Sequence, residues 1–189
     1  MMDLLKRFNW VDILVIALAL RIVYVSVKTG VVAELMKTLG VLLAIFISFH
    51  YYVKLAVFTG HYVAFSSVVL EVVAFVALWL ATIFVCKLSR SGILMLFSVE
   101  AISAVDKWGA VIVSAGRFFL TVGMFMFVFL LTDNPYMERM TVTSFSQKYV
   151  MSIAPKVYRK MTDGFVVKFF PREKLNPAVF EELGQTGKK

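Results

Sequence analysis

Apolar residues in this chain gather into four long blocks, with polar residues collected at the block ends. The blocks run from Trp10 to Val27, Val31 to Val53, Tyr62 to Cys86 and Trp108 to Leu131. Each approaches the ~20 residues that a helix needs to cross ~30 Å of hydrocarbon. None alternates like a barrel strand, and a single segment in lipid satisfies its own backbone only as a helix. The pattern predicts an all-α polytopic membrane protein with about four transmembrane helices, spans 10–27, 31–53, 62–86 and 108–131. The short breaks Lys28-Thr29-Gly30 and Thr59-Gly60-His61 predict tight turns between antiparallel neighbours.

Outside these blocks the periodicity changes. Between Lys87 and Lys107, Ile93 to Phe97 and Ile102 are interspersed with Ser98, Glu100 and Ser103, which predicts an interfacial amphipathic helix between the third and fourth spans. After Asp133-Asn134-Pro135 the composition turns mixed and basic. Residues 1–132 are therefore read as a transmembrane domain and 133–189 as a basic, partly helical soluble tail. Within the tail, Phe145, Tyr149, Ile153, Val157 and Met161 recur at helical spacing, with Pro155 expected to kink or interrupt the helix and Gly164 to close it. Asn176-Pro177 predicts a capped start for a short helix to Leu183, with no structure expected from Gly184 onward.

Composition sharpens the class. The chain is 60% hydrophobic with a mean hydropathy of +0.84, above a soluble domain of this size. Its formal charge is +8. The basic residues sit at span ends and in the tail, where they meet anionic headgroups, and no basic stripe with interleaved aromatics is present. The expected partner is therefore the lipid bilayer and not nucleic acid. Lys6-Arg7 ahead of an apolar run ending near Ala17-Leu18-Ala19 resembles a signal peptide. Asp12 lies inside that run, though, and Ile22 to Val27 continue it, so retention as the first span is expected. The single Cys86 excludes an internal disulfide.

Candidate chemistry rests on ionisable residues inside apolar blocks: Asp12, Arg21, Glu34, Lys37, Glu71 and Arg117, with Asp106 opening the fourth. A charge at mid-bilayer costs ~2.5–3.5 kcal/mol on insertion scales, so these residues need partners or water. Glu71 and Arg117 read as a buried pair, either tying helices together or marking a conduction or binding site. Gly30, Gly40, Gly109 and Gly116 are read as turn and close-packing positions. His50 and His61 make no ligand set with Cys86 or nearby acids, and no nucleophile elbow, phosphate-cradling loop or paired carboxylates occur. No enzymatic activity, metal or cofactor is expected.

The order of these residues resembles the colicin V production protein (CvpA) family. The likeness rests on Asp12 opening the first span, then Lys28, Gly30 and Glu34, Gly40, and His50-Tyr51-Tyr52. It continues with Asp106-Lys107 and with Arg117 eleven residues beyond that acid. It covers about Asn9 to Leu131 and departs at Gly109, one place early, and at Ser114 and Phe118, which stand where the family favours glycine. The resemblance implies a small bacterial inner-membrane protein with four helices. Its expected role is accessory, in toxin production or export or in envelope maintenance, through other envelope or export proteins. A basic tail on the cytoplasmic side and possible homo-oligomers complete the expectation. The alternative is a homo-oligomeric channel or small transporter using Arg21, Glu71 and Arg117.

Overall fold

The computed structural model describes residues 10–96, 104–134, 136, 150–169 and 175–186. Four long helices lead: α1 (Trp10–Ser26), α2 (Gly30–Gly60), α3 (Ser67–Leu96) and α4 (Ala104–Leu131). They are followed by α5 (Ile153–Met161), a π-helical turn (Thr162–Val166), the short α6 (Val167–Phe169) and α7 (Ala178–Thr186). No strand occurs among the described residues.

Among the described residues, three helices, α2, α3 and α4, are long and apolar enough to cross a membrane. Of α1, 17 residues are helical, about 25 Å of rise, which falls short of ~30 Å of hydrocarbon. The outward faces are apolar: Leu20, Phe84, Trp108 and Ile112 are all strongly exposed. Contiguous surface of this kind is unfavourable in water and ordinary against lipid.

The observed helices outrun the predicted spans. α2 continues past Val53 to Gly60, and α3 past Cys86 to Leu96. Lys54, Lys87 and Arg90 are good helix formers, so a charge marks where hydrocarbon ends and not where the helix ends. Of the segment 87–107, where an interfacial helix is expected, 87–96 continue α3 and 104–107 open α4, while 97–103 lie outside the described residues.

α2 and α3 form the antiparallel hairpin that the Thr59-Gly60-His61 break predicts. A Cβ on Gly40 would lie 3.1 Å from Cys86 Cβ, so the two backbones approach closely there. α4 runs parallel to α2: a Cβ on Gly109 would lie 2.9 Å from Val31 Cγ2, and eighteen residues further along both helices Phe49 meets Phe127 at 4.7 Å. The first turn behaves differently from expectation. α1 barely touches α2 and packs instead on α4, with Trp10 edge-on to Phe129 at 5.6 Å. Gly30, at φ 73°, takes the left-handed conformation that the elbow requires. A three-residue link fixes where a helix starts but not how far it leans, and α1 splays away from α2.

The tail is not a separate soluble unit in its described parts. Val150, Met151, Ala154, Tyr158 and Val179 are buried in the same core as Phe49, Phe75 and Phe127. Ala154 seats against Gly123, where a Cβ would come within 2.9 Å. Pro155 sits in the first turn of α5, where a missing N–H costs nothing, and the helical run is interrupted just ahead of it, as expected: Val150 is helical, and Met151 and Ser152 form a turn. Gly164 does not close the helix; the chain widens into a π turn there and continues to Phe169. As predicted, Asn176 caps α7, its Oδ1 accepting from Ala178 N at 3.3 Å, but the helix runs beyond Gly184 to Thr186. Phe145 and Tyr149 lie outside the described residues.

Candidate functional site

The elbow between α1 and α2 organises a buried cluster of charges. Glu34, one turn into α2, is fully buried. Its Oε1 accepts from Thr29 Oγ1 at 2.7 Å and from Lys37 Nζ, and Lys37 Nζ also donates to Thr29 Oγ1 at 3.0 Å. The Glu34–Lys37 spacing places both on one face of α2. The other carboxylate oxygen, Oε2, lies 2.7 Å from Arg117 Nη2 of α4. The alignment there is that of paired charges and not of a directed hydrogen bond. Arg117 reaches Glu34 because α2 and α4 run parallel and a helical side chain leans toward its own N-terminus. Glu34 thus ties the elbow, α2 and α4 together through one carboxylate.

Arg117 therefore pairs with Glu34 and not with Glu71, which corrects the pairing read from sequence. Glu71 sits near the start of α3, beside the far end of α2 in the antiparallel hairpin, half-buried and in no ion pair among the described residues. The sequence could not separate the two acids, since each lies within an apolar block.

Beside this cluster, where α1 leans away from α2, a cavity of about 370 Å³ opens between the four long helices. Arg21, Lys37, Lys87, Arg90 and Arg117 line it. Arg21 and Lys87 are exposed at its rim, while Lys37, Arg90 and Arg117 are half-buried. Cys86, Thr121 and Gly40 complete its polar and small lining, and Leu18, Ile22, Val41 and Ile83 supply apolar wall. Lys87, Arg90 and Cys86 had no functional signal in the sequence beyond an i, i+3 basic pair at a span end.

The other predicted positions divide. Asp12 is buried in the first turn of α1, and Asp106 is half-buried in the first turn of α4. Gly30, Gly40 and Gly109 occupy a turn or a close approach. Gly116 does not: it is exposed, and a Cβ there would meet nothing within 4 Å. Gly123 packs on the tail instead. His50 is buried, and its Nδ1 lies 3.1 Å from Tyr158 Oη; no group of three potential metal ligands occurs among the described residues.

Three membrane-capable helices around a buried charge cluster define an α-helical membrane protein. A family model, the colicin V production protein, matches residues 11–155, so the chain belongs to the colicin V production protein family. No curated protein and no solved structure matches it.

Proposed function

We propose that this chain is a non-enzymatic accessory protein of the bacterial inner membrane that serves toxin production or export, or envelope maintenance, through partner proteins. On this reading it crosses the bilayer four times, with α1 as the first crossing, and carries its tail on the cytoplasmic side. The observation that supports it most is the family match, which runs from α1 to the start of α5 and so includes both the membrane helices and the docking point of the tail.

α5 suits a partner-facing role. Tyr158, Ala154 and Pro155 pack inward, whereas Lys156 and Lys160 are exposed on its outer side. Such a face meets either anionic lipid or an acidic partner surface. The test is in vivo cross-linking of the tagged protein, gentle extraction and identification of what co-purifies. Recovery of a reproducible envelope or secretion protein, lost when Lys156 and Lys160 are changed to Glu, supports the proposal. Unchanged recovery in the variant removes the tail from the interaction, and recovery of self-cross-linked multimers alone contradicts the accessory role.

One observation favours a second reading, a homo-oligomeric channel or small transporter: Arg21 and Arg117 line the cavity between the helices. Glu71 has no part in that version, because it lies toward the opposite end of α3. Anion flux into proteoliposomes, absent or present, separates the two readings.

A further inference from the structure

Among the described residues, the cavity holds more positive charge than neighbouring acids neutralise. Five cationic side chains line it, from Arg21, Lys37, Lys87, Arg90 and Arg117, and no acidic side chain among the described residues does. Among the described residues, the carboxylate in contact is Glu34, already shared between Lys37 and Arg117. Five positive groups against one negative leave an excess in a place walled by apolar side chains, where an uncompensated charge is costly. The two deeper arginines also keep unused donors: Arg90 Nε and Arg117 Nε are buried and have no hydrogen-bond partner among the described residues.

We infer that this cavity is a binding site for a phosphate-type oxyanion, taken either from solution as free phosphate or from the membrane as a phospholipid headgroup. The guanidinium fork matches phosphate oxygens with paired N–H donors, and Lys87 at the rim adds unoriented charge. The volume of about 370 Å³ lies within the range of small-molecule pockets. The flanking apolar side chains of α1 and α2 leave room for the first carbons of a lipid as well as for a bare anion. This site is independent of the accessory role and would exist under either reading of function.

Cys86, the sole cysteine, lines the cavity and reports on it without any substitution. In phosphatidylcholine nanodiscs free of phosphate, the full chain is treated with an anionic and a cationic methanethiosulfonate reagent. Each rate is normalised to that of a small free thiol. The site predicts preference for the anionic reagent by about tenfold, as expected of a focused positive field.

Occupancy is then read with uncharged N-ethylmaleimide, so that bulk membrane charge does not enter. Slowing by millimolar inorganic phosphate, relative to chloride at equal ionic strength, assigns a solution anion. Slowing only when phosphatidylglycerol replaces part of the phosphatidylcholine assigns a lipid headgroup. In either case Arg90→Gln should lose most of the protection, while Lys54→Gln, toward the far end of α2, should keep it. The inference is overturned if neither phosphate nor phosphatidylglycerol slows labelling, or if R90Q is protected as fully as the parent. Cys86 inert in both proteins overturns it as well.

Discussion

The two ends of this helical bundle are built on opposite plans. Around Phe49, Tyr52, Phe75 and Phe127 the helices meet through rings that are all fully buried, edge-on at 4.7 Å for Phe49–Phe127 and 5.3 Å for Phe49–Phe75. The tail seals that end: Tyr158 Oη lies 3.1 Å from His50 Nδ1 and accepts from Asn176 N at 3.1 Å. Asn176 Nδ2 donates to the Phe49 carbonyl at 2.8 Å. At the elbow end, by contrast, the same helices meet through one carboxylate and two cations, and they leave a cavity. Lipid provides no hydrophobic drive for helices to associate, so each end must find its own attraction. The ring end uses dispersion and shape; the elbow end uses charge. The charged end leaves cationic donors over for something else to bind.

The sharpest break of this contrast is removal of Arg117. Arg117→Gln leaves Glu34 buried beside Lys37 alone, and loss of one partner from a buried pair costs about 3–5 kcal/mol. The double variant E34Q/R117Q should cost clearly less than the two single losses added, because neither Glu34 nor Arg117 is left facing a missing partner and only Lys37 loses its carboxylate. Denaturation in mixed micelles measures both, and full additivity would mean that the pair does not couple. Phe49→Ala strikes the other end and should cost about 3 kcal/mol, chiefly through the cavity it opens. It should leave Cys86 reactivity unchanged, whereas R117Q should alter it.

Smaller effects sharpen the boundary between the ends. Gly123→Val places branched carbon against Ala154, already 2.9 Å from a Cβ. It should undock α5, raise protease sensitivity near residue 150 and cost about 1–3 kcal/mol. Gly116→Ala is the matched control on the same helix. It meets nothing within 4 Å and should be neutral, or stabilising by less than about 1 kcal/mol.

Much of the helical frame was legible because long apolar blocks permit little else. The ends of α2 and α3 were not, since hydropathy reports where lipid stops and Lys54, Lys87 and Arg90 continue a helix readily. The resemblance picked out Glu34 and Arg117 separately. Their pairing needed the parallel register of α2 and α4, which no periodicity encodes, and so Glu71 looked an equal partner. The tail read as soluble because its basic residues dominate the composition. Its buried positions, Ala154 and Tyr158 among them, make a narrow stripe whose other half is supplied by Gly123 and Phe49 far away in sequence. The cavity has the least sequence trace of all. It depends on the lean of α1, set by Gly30 at the elbow and by packing against α4.

A sealed ring end and an open charged end on one helix bundle make opposite demands on two positions of α3. In intact membranes, the labelling rate of native Cys86 by a small polar thiol reagent is compared with that of Ala74→Cys in a Cys86→Ser background. Ala74 is 4% exposed and adjoins Phe75 in the ring cluster. Labelling should be rapid at position 86 and absent at 74. Equal labelling at both, or a reactive 74 with an inert 86, would contradict this division of the bundle.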